Sequence, residues 1–258
     1  MALMDRLFAA KSYVESLGYT PAYLAIYGSQ NYGLSLDEPD YRSDVDIKCA
    51  ALPSLSQLAA EESVAPAVLE WEGGQIEIKD VRRFAEVAAR LNPSYLETLM
   101  TPHYLAPSRQ FDKIRALAAL LPGQDAQGFL LACKGTALQK KKNLCHPFPA
   151  AMEKIRRFGY DGKQAHHMYR LLLIMRAFEK TGRYELIAPG AEYEWLIALK
   201  KNEIPLEDAL SLTEDWAQEM EAICARCTQK AQGAKASARE MKQLACLAIE
   251  EQIRMEFE

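Results

Sequence analysis

The sequence predicts an α+β protein: a strand-bearing domain over residues 1–107, then a helical domain over 108–258. Three observations carry this expectation. Two apolar runs, at 22–28 and 44–50, have the length of strands and flank a loop rich in turn formers (Asn31, Gly33, Asp37, Pro39, Asp40). Residues 67–71 and 75–80 alternate in hydropathy on either side of Glu72-Gly73-Gly74, the pattern of a hairpin. Beyond residue 108 strand signals nearly vanish and long helical periodicities take over.

With 258 residues the chain is long enough to bury a full core. Its 49% hydrophobic and 26% charged residues are ordinary for a soluble globular protein. A net charge of −4 gives no whole-molecule positive field that would pull it onto nucleic acid. No apolar stretch approaches the roughly 20 residues that a bilayer span needs. Asp5 and Arg6 lie inside an amphipathic pattern without the architecture of a signal peptide. The six cysteines are scattered, not set in a disulfide framework. A cytoplasmic protein is expected. Cys224 and Cys227 form a single C-x-x-C within a helical periodicity, so they read as helix cysteines sharing a face, not as a zinc or redox pair.

Taken in order, Leu3, Leu7, Phe8, Tyr13, Val14 and Leu17 mark an amphipathic helix stopped by Gly18 and Pro21. The two strands and their loop follow. Pro53-Ser54 opens a short helix near 54–63, and the hairpin comes next. Residues 81–91 read as a helix broken by Asn92-Pro93-Ser94, with a second short helix over 95–100. Thr101-Pro102 to Pro107 reads as a linker. Further helices are expected at 109–121, 125–142, 163–181, 190–200, 205–228 and 233–256.

The chemistry concentrates between residues 22 and 48. Side chains alternate across a strand, so Asp44, Asp46 and Lys48 share one face and Val45, Ile47 and Cys49 the other. Like charges about 4 Å apart repel by roughly 4 kcal/mol at an effective dielectric near 20, so two such carboxylates invite a cation. Hard divalent ions take oxygen ligands, and Mg²⁺ commonly combines one or two carboxylates with substrate phosphates. Gly28 permits close backbone approach, and Ser29 offers an N–H and a hydroxyl to a phosphate oxygen. On the second hairpin strand Gln75, Glu77 and Lys79 share a face, which makes Glu77 the natural third carboxylate. Asp80, at the strand end, either caps the helix beginning near Val81 or serves as the reserve ligand.

Between residues 126 and 160 seven Lys or Arg stand against one acid, Glu153, in an otherwise acidic protein. A polyanion partner would suit that surplus. Lys163, His167 and Arg170 follow i, i+4, i+7 and lie along one helix face. The helix dipole disfavours a cation near its N-terminus, so Lys163 needs a compensating group, either a phosphate or Asp161. His166 and His167 are adjacent and point in different directions, which argues against a zinc pair.

Gly28-Ser29, Asn31-Tyr32-Gly33-Leu34 and Ser43-Asp44-Val45-Asp46 resemble the signature of the DNA polymerase β-type nucleotidyltransferase superfamily. More narrowly, three segments are similar to the predicted nucleotidyltransferases of bacteria and phages. They are Tyr27 to Leu34, Asn92-Pro93-Ser94-Tyr95-Leu96-Glu97, and Gly159 to Lys163 continuing through His167 and Arg170. The resemblance spans roughly residues 22–200. It implies a nucleotidyltransferase-type small mixed sheet with flanking helices, followed by an all-helical domain that closes over the nucleotide. It also implies two-metal transfer of an NMP from an NTP to a hydroxyl, with pyrophosphate released. Asp44, Asp46 and Glu77 would hold Mg²⁺, or Mn²⁺ in its place. Gly28 and Ser29 would hold the outer phosphates, and Lys163, His167 and Arg170 would contact the triphosphate. Two features depart from the pattern: relatives often have aspartate where this chain has Glu77, and the loop from Gly33 to Ser43 is long.

On that resemblance the acceptor would be an RNA end, a protein side chain or a small molecule, and the basic 126–160 segment favours an RNA or nucleotide end. The alternative is a non-catalytic nucleotide sensor, or an antitoxin-like partner protein on the same fold. Retention of Asp44, Asp46 and Glu77 argues for the enzyme.

Overall fold

The computed structural model describes residues 2–38, 41–186, 190–229 and 231–257. The chain forms two compact units, one running to Gln124 and resuming at Gln232, the other Asp125–Ala231. The first begins with α1 (Leu3–Ser16) and β1 (Thr20–Tyr27), then a 3₁₀ turn (Ser29–Tyr32) and the strand pair β2 (Asp37–Glu38) and β3 (Tyr41–Arg42). It continues through β4 (Asp46–Leu52), α2 (Leu55–Ala59), β5 (Ala67–Trp71), β6 (Gly74–Asp80), α3 (Val81–Ala89), α4 (Pro93–Met100), β7 (Tyr104–Leu105) and α5 (Gln110–Gln124). The second unit holds α6 (Ala126–Asn143), α7 (Met152–Phe158), α8 (Gly162–Thr181), α9 (Tyr193–Lys200) and α10 (Leu206–Arg226). The final helix, α11 (Ala234–Phe257), returns to the first unit, where it packs on α3 and α5. The protein is α+β. No described helix is long and apolar enough to cross a membrane.

The main sheet has the order β5-β6-β4-β1-β7 and is mixed: β4 and β6 are parallel, and the other neighbours are antiparallel. Strand alternation sorts its two faces. Leu24, Ile26, Val45, Ile47, Cys49, Ile76 and Ile78 pack into one core with Leu7, Ala10 and Val14 of α1. On the opposite face Tyr23 stacks on Phe111, with ring centroids 4.7 Å apart, and Phe84 meets Tyr95 edge-on at 5.0 Å. The buried Tyr23 hydroxyl is satisfied twice: it donates to the Thr98 carbonyl at 2.8 Å and accepts from Arg115 at 2.8 Å.

Several elements differ from expectation. β1 starts two residues early, and its register with β4 shifts between Pro21 and Tyr23, the kind of irregularity that accommodates a proline in a strand. β4 starts at Asp46, so Asp44 precedes the strand. The stretch 101–107 is not a plain linker, because Tyr104 and Leu105 pair with Ala25 and Leu24 as β7. The residue 107/108 boundary falls short of the division seen, because the buried Phe111, Ile114, Ala118 and Leu121 tie α5 to the sheet unit. α7 has no counterpart in the sequence reading.

In the second unit the described residues form helices and turns only. Phe129, Cys133, Leu172, Met175, Leu196, Trp216 and Met220 are all buried there. α8 begins hard against α9: a Cβ on Gly162 would stand 1.9 Å from the Leu199 carbonyl oxygen, so only glycine fits.

Candidate active site

Antiparallel pairing of β1 with β4 places Tyr27 opposite Asp46. The Gly28-Ser29 turn therefore leaves β1 beside the point where Asp44 and Asp46 enter β4. Gly28 has φ +92° and ψ −146°, a conformation that costs any L residue, and this lets the chain swing into the 3₁₀ turn. Its N–H donates to Glu97 Oε1 at 2.5 Å, and Asn31 Nδ2 donates to the same oxygen at 3.0 Å. Asn31 also donates to the Ile26 carbonyl at 3.1 Å and accepts from the Thr101 hydroxyl at 2.6 Å. Buried Glu97, on α4, thus clamps the turn to the helix that Asn92 caps. Sequence reasoning did not assign Glu97 this task. Its signal was a carboxylate one turn beyond an Asn-Pro-Ser cap, on the apolar side of a short helix.

Val45, Ile47 and Cys49 are buried in the core, and Asp46 and Lys48 take the other face as expected. Asp44 is exposed; Asp46 is half-buried, and its Oδ1 accepts from Gln75 N–H at 3.2 Å. Parallel pairing puts Lys48, not an aspartate, in register with Glu77. Glu77 Oε2 accepts from Lys48 Nζ, while Oε1 accepts from Lys79 Nζ and from the Tyr95 hydroxyl, the latter at 2.8 Å. The Lys48 ammonium lies 3.8 Å from the centroid of the Tyr27 ring and 5.0 Å from that of Tyr95, in cation–π contact. Lys48 is only 4% exposed.

The electrostatics follow from these contacts. Burial works to raise the pKa of Glu77, but Lys48, Lys79 and Tyr95 outweigh it and hold the carboxyl at about 2. Burial lowers Lys48, and Glu77 returns only part of that loss. The two partners therefore record different balances. Glu77 gains from three donors, whereas Lys48 has Glu77 and a weaker pull from Glu97, set against repulsion by Lys79, to offset nearly complete desolvation. Tyr27 is raised by burial and then by Asp46, Glu77 and Glu97, so its phenol stays protonated among three acids.

Asp44 and Asp46 are hard oxygen donors of the type a divalent cation takes. Glu77 is in a different position. A divalent ion about 5 Å from an ammonium is repelled by roughly 7 kcal/mol at an effective dielectric near 20. An ion binding Glu77 would have to displace Lys48 and Lys79. Among the described residues no group of three or more His, Cys, Asp or Glu is gathered to hold one metal. Asp80 caps α3: Oδ1 accepts from Arg82 N–H at 2.9 Å, and Oδ2 accepts from Val64 N–H at 3.1 Å and Arg82 Nη2 at 2.7 Å.

Lys163, His167 and Arg170 belong to the second unit, at half-buried positions along α8. Asp161 is the helix cap, accepting from Lys163 N–H at 3.1 Å and from Lys154 Nζ at 3.4 Å. Lys140 of α6 joins this group, a residue the sequence reading counted only as part of a basic run. Burial and then the nearby Arg170 and Lys163 charges lower its pKa. His167 is lowered well below the usual imidazole range by burial and then by Arg170 and Lys140, so it is neutral at pH 7. His166 is held at about 3, mainly by burial, and its Nδ1 donates to the Leu196 carbonyl at 3.0 Å, a packing role. Cys224 is buried and Cys227 half-buried, both as free thiols.

No known protein family and no curated protein matches the sequence.

Proposed function

We propose that the chain is a divalent-metal-dependent nucleotidyltransferase that moves an NMP from an NTP to a hydroxyl acceptor. One observation carries this reading: the Tyr27–Asp46 pairing sets the Gly28-Ser29 turn and the two aspartates at the same end of adjacent strands. A turn open to close approach, next to hard oxygen donors, suits a phosphate chain that arrives with a metal. Asp44 and Asp46 would hold Mg²⁺, or Mn²⁺ in its place. When bound, that ion supplies charge neutralisation at the reacting phosphate.

Ser29 would offer its N–H and hydroxyl to the outer phosphates. Gly28 would contribute through its missing side chain, since its N–H already serves Glu97. Within the helical unit taken by itself, Lys140, Lys163 and Arg170 form a cationic group beside neutral His167, a set that would suit an anion. The surplus of cations between residues 126 and 160 favours an RNA or nucleotide end as acceptor over a protein side chain.

The test is incubation with each α-labelled NTP and Mg²⁺ or Mn²⁺, using cell-extract RNA and protein as acceptors. Label should enter one fraction with the natural chain, and Asp46→Asn should lower that transfer at least about a hundredfold. Nucleotide binding without any transfer would replace this reading with that of a nucleotide sensor. Absence of both would remove the site.

A further inference from the structure

We infer that the site takes a single divalent cation, at Asp44 and Asp46, and that the Lys48–Glu77–Lys79 cluster supplies built-in positive charge where a second ion would otherwise sit. This rests on the transferase reading of the strand ends and adds the metal count to it.

The donors on Glu77 carry the argument. Its two oxygens accept from two ammonium groups and a phenol. A carboxylate with two lysines carries a net charge of +1, the same as a carboxylate with one divalent ion. The cluster thus reproduces the charge of an ion-loaded Glu77. The lysines are also fixed in place. Lys48 comes from β4 and Lys79 from β6, neighbouring parallel strands whose register sets Lys48 against Glu77. Lys48 is enclosed by the rings of Tyr27 and Tyr95, and Lys79 lies 5.3 Å from the Tyr95 ring centroid. Lys48, with 5% of its side chain exposed, cannot swing away without opening a cavity between those rings. Lys79, with 24% exposed, retains a solvent-facing side and is the group able to reach a ligand. Glu77 is then a positioning residue that aims Lys79, and not a metal ligand.

The 258-residue chain with a non-hydrolysable ATP analogue would be titrated with Mn²⁺, counting bound ions by electron paramagnetic resonance. One protein-bound Mn²⁺ is expected, lost in Asp46→Asn and kept in Glu77→Gln. Lys79→Met should weaken metal-free binding of the analogue about tenfold. Should Glu77→Gln fail to fold, the Lys48→Met/Glu77→Met double variant replaces it, and the count should remain one. Two bound ions, with one lost on changing Glu77, would overturn the inference and leave the transferase reading standing. A count of zero overturns it too; if the analogue also fails to bind, the transferase reading falls with it.

Discussion

Both oxygens of Glu77 are held by cations, and stability in acid should register this. Its folded pKa of about 2 lies below the usual carboxyl value of 4.5. A depressed carboxyl contributes stability that is complete above the unfolded pKa and is lost as pH falls through the folded one. Stability should therefore decline between about pH 4.5 and 2, with roughly 2 kcal/mol traceable to this group after solvent screening. Chemical unfolding at a series of pH values, comparing the natural chain with Glu77→Gln, checks this: the variant should have the shallower acid limb. Lys48→Met tests the opposite partner. It leaves Glu77 with Lys79 and Tyr95, so the loss should fall at or below the lower end of the 3–5 kcal/mol typical for breaking a buried pair, about 3 kcal/mol. An unchanged unfolding midpoint would show that the pair contributes nothing net.

At the scale of elements, the close approach of β6 to the start of β4 rests on one residue. A Cβ on Gly74 would stand 2.2 Å from the Val45 carbonyl oxygen, which is rigid backbone. Gly74→Ala should push the hairpin away from β4, weaken the Gln75 N–H bond to Asp46 and lower stability by about 2 kcal/mol. Hydrogen exchange should show faster exchange at Gln75 while α6 to α10 are unaffected; protection unchanged at Gln75 would contradict the close approach. The sequence made the hairpin legible because Gly-Gly and two-residue alternation are local signals. It likewise showed the facing of β4, since Val45, Ile47 and Cys49 are apolar and their alternates are not. It could not show that Lys48 would be the partner of Glu77. That depends on a parallel register between strands separated by α2 and β5, and alternation fixes a face but not a register. β7 was hidden for another reason: two residues carry no period. Glu97 lies in a legible motif, but its bond to Gly28 links positions 69 residues apart, beyond any helical or strand spacing.

At the scale of the molecule, the path of the chain makes Asp125–Ala231 an insertion in the sheet-bearing unit. The ends of the interruption meet: Gln232 N–H donates to the Gln124 carbonyl at 2.7 Å. α11 is integral to that unit, because Met241, Leu244, Ala245, Ala248 and Ile249 are buried, and Glu251 accepts from Arg109 at 2.9 Å and from Gln110 at 2.6 Å. Two variants separate the contributions. Ending the chain at residue 231 strips the cover from α3 and α5; with three large apolar side chains lost at about 2 kcal/mol each, the deficit of roughly 6 kcal/mol approaches the whole stability of an ordinary domain. That variant should lose cooperative thermal unfolding of the sheet-bearing unit. Replacing 125–231 by a short Gly-Ser link keeps α11 and asks only that two adjacent backbone positions be joined, so it should retain a cooperative transition. The linked variant should also keep the Mn²⁺ bound at Asp44 and Asp46, read by electron paramagnetic resonance, because both aspartates and the strands that carry them belong to the sheet-bearing unit; loss of that ion with the fold intact would place a metal ligand outside the unit.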